Sequence, residues 1–526
     1  MAGKVLDCDL VVVGGGGSGL TAAVKAKHLG VKNVIVLEAA KKTGGSAWYA
    51  GFSCSNTKWH KEAGYPDTTD DQFRQTMRQC KWDTNYKLIR NYVDSHGPMF
   101  DWFDGLCDVS DFFIRPEAYV KPAAAQTSGS GQGGPGGPGG GGLGQDSMFG
   151  AMRGGISEKG YFINKKSKDP SIGPGRSGSY LVVRMREQCQ KLGVQVITEA
   201  RAREFLKDAK GNYTAVMAET KDGKTQVNFK ACVLAAGGFG HNMEKLKKRW
   251  PELFDNNNSL HNFNCPTAQG DVLDMAEKSG ALVDYQSMNL EFLGPVHHPY
   301  SFTIFKVCTY PETVYVNLNG ERFVSETDIM NIALYPLIKQ PKGQCYVIVD
   351  DDMIDLFSER YMKNNPADQA APFQDNGLRK DVEYEAALDD AGAKGNHTKK
   401  ANTFEELARK MKIDPKAFVA TMTKYNEYCE KGRDLDLYKR PAYLRPIRKA
   451  PFYAFWQQNF TNTTHNGIVV NEDMRLLSAS DKKPIPNVFA CGDAATAMEG
   501  GMTWAAISGY MSGVAAAKHL GFSQST

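Results

Sequence analysis

The chain is poor in several things, and each absence narrows what it can be. No run of ~18 apolar residues occurs, so no candidate membrane span is present. None of the 11 cysteines forms a C-x-x-C pair, so neither an iron–sulfur run nor a c-type haem site is visible. Unpaired, scattered thiols in a chain this long read as reduced residues of a cytosolic protein. Charge of one sign is missing too: 63 Lys+Arg against 59 Asp+Glu leave +4. That balance makes no strong cationic field, and nucleic acid is not an expected partner. The opening Met-Ala-Gly-Lys leads into a short apolar stretch without a small-residue cleavage site, which is no signal-peptide pattern. The expected location is cytoplasmic.

Glycine is what the chain has in excess, 53 residues of 526 where ~7% is usual. Eleven of them fall between Gly129 and Gly144. From Ser128 to Gly144 there is no periodicity and one apolar side chain, Leu143, so the expectation is a flexible surface loop over 128–144. The other glycines are ordered by their neighbours. Asp9-Leu10-Val11-Val12-Val13 reads as a buried parallel strand. It runs into Gly14-Gly15-Gly16-Gly17-Ser18-Gly19, then a helix over 20–29, then a second strand, Asn33 to Leu37, ending at Glu38. This βαβ unit carries Gly14-x-Gly16-x-x-Gly19 at its first turn and an acid at the end of the second strand, the pattern that cradles a dinucleotide. Gly14 permits the tight turn, Gly16 the approach of a pyrophosphate, and Gly19 close helix–strand packing. Gly17 and Ser18 open the helix, whose N-terminus attracts phosphate. Glu38, with Ala39 beside it, meets the adenosine ribose.

Further along, a helix is expected over 180–192, followed by strands at 194–197, 213–217, 225–229 and 231–236. The last strand runs into Ala236-Gly237-Gly238. Charged helical sequence fills 403–432, and a final helix is expected from about Trp504 to Leu520. Strand-Gly492-Asp493-helix at the C-terminal end suggests one domain built from both ends of the chain. The expected division is 1–285 for the first part of a cofactor domain, 286–455 for an inserted cap, and 456–526 for the second part.

Two features separate FAD from a nicotinamide. Gly44-Gly45-Ser46 returns backbone amides towards the pyrophosphate soon after Glu38, and Asp493 puts a carboxylate at a strand end where a ribityl chain would pass. FAD is therefore the expected cofactor. Val12 to Gly19, Glu38, Gly44-Gly45-Ser46, Ala235 to Phe239, Gly270-Asp271, Gly320-Glu321-Arg322-Phe323 and Pro486 to Asp493 together resemble the FAD-binding subunit family of fumarate reductase and succinate dehydrogenase. Urocanate reductase and the 3-ketosteroid dehydrogenases belong to it too. The resemblance implies an α/β architecture: a Rossmann-type FAD domain with an inserted α+β capping domain and the active site between them. It also implies redox chemistry at a carbon–carbon bond.

The chain departs from the family's dicarboxylate ligands. The family's catalytic arginine aligns with Met330, its histidine with Thr463 (His465 lies two residues on), and its second arginine with Ile507. A methionine neither donates a proton nor pairs with carboxylate. Losing cations from a buried site favours a neutral, more apolar substrate, because an unpaired carboxylate there is costly. The candidate catalytic residues are His465, Thr463, Tyr300, His298 and Tyr453, with Met330, Trp504 and Gly501 as pocket walls. Thr503, Ala506 and Ile507 of the last helix are expected against the flavin, with the helix dipole aimed at its C2 carbonyl.

The expected activity is hydride transfer between flavin N5 and an activated C=C of a largely apolar substrate, an enone such as a 3-oxosteroid or an aromatic-conjugated alkene. An unsaturated carboxylate (urocanate-, cinnamate- or fumarate-like) is the first alternative, and a flavoprotein oxidase or monooxygenase the second. With no haem, iron–sulfur or second nucleotide motif, an external electron donor or acceptor is expected. Direction and oligomeric state are not legible.

Overall fold

The computed structural model describes residues 4–113 apart from 52 and 81, then 115, 177–251, 254, 261–262, 264–285, 289–293, 308, 310–328, 334–364, 378–392, 398–464, 467–496 and 501–522. The glycine-rich segment 128–144 lies outside them.

Four-residue strands made wholly of buried apolar residues need both faces covered. Leu10–Val13, Val34–Leu37 and Ala231–Leu234 are such strands, and they sit at the centre of a six-stranded sheet. Its order is Arg475–Leu477, Pro484–Ala490, Ala231–Leu234, Leu10–Val13, Val34–Leu37, Gln195–Ile197. All neighbours are parallel except the outer Arg475–Leu477. Strand Pro484–Ala490 comes from the far end of the chain, so the sheet joins both ends. Helix Gly17–His28 packs against the terminal helix Met502–His519 and against helix Ser177–Lys191.

The N-terminal stretch that looked merely apolar is a strand, Lys4–Asp7. It pairs in parallel with Gly223–Asn228 at the edge of a four-stranded sheet that also holds Tyr213–Thr220 and Arg201–Lys207. Helices Lys58–Glu62, Thr69–Gln79, Tyr86–Asp94 and His96–Cys107 form a helical lobe beside the terminal helix.

The inserted region is organised around one long strand, Phe452–Thr463, which pairs with Asn289–Leu293, Gln344–Asp350, Thr398–Ala401 and His261–Asn262. Val314–Asn317 extends the sheet beyond Gln344–Asp350. A separate apolar core lies under it, from Cys308 and Tyr310 to Ala454 and Phe455. The expected cap boundary at 455 falls inside this strand, which stays in the cap sheet to Thr463. The charged helical stretch is two helices, Phe404–Met411 and Pro415–Lys431. Thr403 and Asp414 cap their N-termini, and Gly432 ends the second in a left-handed conformation. Among the described residues, no helix is long and apolar enough to cross a membrane.

Candidate active site

The site begins at the turn after Leu10–Val13. Gly14 has φ +111°, a conformation that disfavours a side chain, and any Cβ there would overlap the backbone of Ala235 and Ala236. A Cβ on Gly19 would overlap the Gly14 carbonyl. Helix Gly17–His28 is thus pressed against the strand ends, with its N-terminal N–H groups directed outward from the turn.

Glu38 is buried at the end of the second strand and accepts from the N–H of Gly15 at 2.8 Å and of Ala40 at 2.7 Å. Burial raises its carboxyl above the usual carboxylate range, while the Ala40, Gly15 and Ala39 amides oppose that. Gly44 closes on the same turn by donating to the Gly15 carbonyl at 2.8 Å.

Whether these residues fit FAD is decided by which of them present surface. Gly16, Gly45, Gly237 and Gly501 all have open space where a Cβ would stand. None of the four is buried, and Ala39, Ser46, Ala236, Asp493 and Thr503 likewise keep exposed area. Gly16, Ala39, Ala236, Gly237 and Asp493 follow the carboxyl ends of the central strands, the place where ligands bind in open α/β sheets, and with the others make a floor of mostly small residues. Gly14, Gly17, Ser18, Gly19, Gly44, Gly238 and Gly492 are buried behind that floor and shape it. At its far end Asp493 stands beside the Thr463 hydroxyl and the Gly501 N–H. Burial raises its carboxyl, and those two donors oppose the shift. Its Oδ1 is shielded from solvent and has no hydrogen-bond partner. A shielded carboxylate oxygen asks for a donor, and a ribityl hydroxyl is one. Glycine cradle, ribose acid, helix N-termini and orphaned oxygen fit FAD.

A sequence model of the FAD binding domain family matches residues 9–508. The chain belongs to that family. FAD is its cofactor, and the enzyme is an FAD-dependent oxidoreductase of the reductase and dehydrogenase kind. Among similar proteins, vinyl phenol reductase of Lactiplantibacillus plantarum is 25% identical over 508 residues, covering 94% of this chain and 90% of that protein. Urocanate reductase of Eggerthella lenta is 26% identical over 510 residues, covering 94% of this chain and 70% of that one. In structure, the chain resembles the open conformation of a flavocytochrome c3 fumarate reductase at TM-score 0.67 and 20% identity, over 98% of this chain and 79% of that one. It resembles 3-ketosteroid-Δ4-(5α)-dehydrogenase of Rhodococcus jostii at TM-score 0.67 and 20% identity, over 97% of both chains. These likenesses bear out the α/β flavoprotein architecture.

The structure divides the candidate residues sharply. Thr463 is brought to the FAD site, 9% exposed beside Asp493. Tyr453 is not. It sits ten residues up the same strand, ~33 Å away at the rise of an extended chain, buried in the cap core. Its hydroxyl donates to Glu383 at 2.5 Å. Trp504 is 1% exposed, donates to the Gly492 carbonyl at 3.0 Å and packs on Tyr92. It is a strut under the FAD floor rather than a pocket wall. Ala506 and Ile507 are 0% exposed, and their N–H groups lie past the helix's first turn. Neither presents a surface; Thr503 and Gly501, one turn earlier, keep exposed area. His465, His298, Tyr300 and Met330 lie outside the described residues.

One contributor was missed. Thr464 accepts from the Phe239 N–H at 3.3 Å, and its hydroxyl occupies the space a side chain on Gly238 would need. The paired glycines Gly237-Gly238 signalled a close approach, but nothing in the sequence named the partner 225 residues away.

Proposed function

We propose that this enzyme moves a hydride equivalent between FAD and an activated carbon–carbon double bond of a largely apolar substrate, an enone of the 3-oxosteroid kind or an aryl-conjugated alkene. The observation that carries the substrate class is Thr463 together with Ile507. Where the resemblance puts a histidine and an arginine in the fumarate reductases, this chain has a threonine at the edge of the FAD site and an isoleucine buried in the terminal helix. A dicarboxylate entering there meets fewer counter-ions, which is unfavourable in a site shielded from water.

Bound FAD supplies the ring that gives or takes the hydride equivalent. The chain supplies the rest. Gly16 and the start of helix Gly17–His28 receive the pyrophosphate; Glu38 orients the ribose. The N–H groups that open helix Met502–His519 offer positive dipole to developing negative charge. Thr463 and the Gly501 amide hold Asp493 in place. Vinyl phenol reductase, by its name, acts on a neutral aryl alkene, which supports this reading. A second reading, reduction of an unsaturated carboxylate, is supported by the likeness to urocanate reductase. Either requires an external electron donor or acceptor.

The test is anaerobic. Photoreduced holoenzyme is mixed with a neutral enone, a vinylphenol, urocanate and fumarate, and flavin absorbance is followed. Rapid reoxidation by the neutral compounds with none by fumarate is expected. Reoxidation by dicarboxylates alone would overturn the proposal.

A further inference from the structure

Helix Gly17–His28 carries a lysine on its buried side. Lys25 is 1% exposed. Ser18, Ala22 and Lys25 form one stripe at i, i+4, i+7, and the terminal helix lies directly on it. A Cβ on Gly509 would overlap the Ser18 backbone, and one on Gly513 would stand 2.7 Å from the Ala22 carbonyl and 2.9 Å from the Lys25 Cβ. The two helices therefore touch backbone to backbone, and Lys25 ends the seam.

Its ammonium lies 4.5 Å from the ring centre of Tyr510 on the terminal helix and 5.3 Å from that of Trp102 on helix His96–Cys107. Among the described residues no carboxylate or carbonyl oxygen hydrogen-bonds it. The ring faces offset part of the lost hydration, but burial still pulls the ammonium down to about 8.

The other groups facing it titrate elsewhere. His28, on the same helix, takes the Trp102 indole N–H on Nδ1 at 3.0 Å and is lowered from 6.5 by burial and by Lys25. The Tyr510 hydroxyl is raised above 10 by burial and by Asp101 of helix His96–Cys107. Asp101 is a carboxyl that accepts from the Lys58 N–H. Of Lys25, His28 and Tyr510, Lys25 is the one that changes charge between pH 7 and 10.

Both helices of the seam open on the FAD site, one at Gly17 and the other at Met502. A change in how they pack moves the two N-termini relative to each other. We infer that Lys25 is a proton-linked latch on the cofactor: its neutral amine lets the seam close and hold FAD, and its protonation loosens the seam and FAD with it.

FAD release from the holoenzyme, followed by flavin fluorescence on dilution, tests this. Release from the unaltered protein should slow about tenfold between pH 7 and pH 9.5, which corresponds to a difference of about one unit in the proton affinity of Lys25 between the FAD-bound and FAD-free protein. Lys25→Met should release slowly at both values, and Lys25→Arg, charged throughout, rapidly at both. If the arginine variant fails to fold, the methionine profile decides alone. A methionine variant that keeps the native pH dependence, or a native protein without one, would overturn the inference.

Discussion

The two halves of the molecule are held by opposite means. The FAD half is a backbone structure: Gly14, Gly19, Gly238, Gly509 and Gly513 are small because main chain or a neighbouring side chain fills the space a Cβ would take. The cap is a side-chain structure, pinned by four buried charges. Arg322 grips Glu326 through two bonds at 3.1 and 2.8 Å and reaches Asp434 at 2.9 Å. Lys439 donates to the Thr313 carbonyl at 2.7 Å and lies 3.6 Å from Glu326. Losing one member leaves a buried charge without its partner, so the network is intolerant of any single loss. A half made of glycine contacts fails on added volume; a half made of ion pairs fails on a lost partner.

The sharpest way to break the contrast is volume in the FAD half. Gly19→Ala should purify without flavin, checked by absorbance after denaturation, because the overlap with Gly14 displaces the helix N-terminus from the turn. Next comes charge in the cap. Glu326→Ala leaves Lys439 and Arg322 short of a partner and should cost about 3–5 kcal/mol, read as a lower urea midpoint for the cap transition.

The same network sets an acid limit. Burial alone would raise Glu326, but Lys439 and Arg322 outweigh it and hold its carboxyl below 4.5. A carboxyl lowered by folding stabilises above its unfolded value and stops doing so as pH falls through its folded one. Cap stability should thus be level at neutral pH and fall below about pH 4.5, and Glu326→Ala should flatten that fall.

Smaller effects sharpen the picture. Glu38→Ala removes the acceptor of two amides and of the ribose, and should weaken FAD binding by about 1–3 kcal/mol, measured by titrating the flavin-free protein. Thr403→Ala removes a helix cap in the inserted region and should cost ~1 kcal/mol of stability without changing FAD affinity.

The contrast also explains what could be read from sequence. Glycines in a strand–turn–helix frame are local signals, and the strands at Leu10–Val13, Val34–Leu37 and Ala231–Leu234 were legible, as were the positions of Glu38 and Asp493 just past strand ends. The inserted cap was legible too, but the end of its long strand was not, because that strand breaks the usual rule of burial. Gln457, Gln458 and Thr461 are polar yet 0%, 2% and 0% exposed, so the run past 455 read as a return to another domain. Trp504 and Ile507 were misplaced for a related reason. Their burial comes from partners such as Tyr92 and Gly492, and nothing nearby in the sequence marks those contacts.

The central claim is that FAD is held by the glycine-built half independently of the ion-paired cap. Flavin content of Gly19→Ala and Glu326→Ala, measured side by side below the urea midpoint of each, tests it most directly. No bound flavin is expected in the first and roughly one FAD per chain in the second, as in the unaltered protein. Full flavin in Gly19→Ala with none in Glu326→Ala would contradict it.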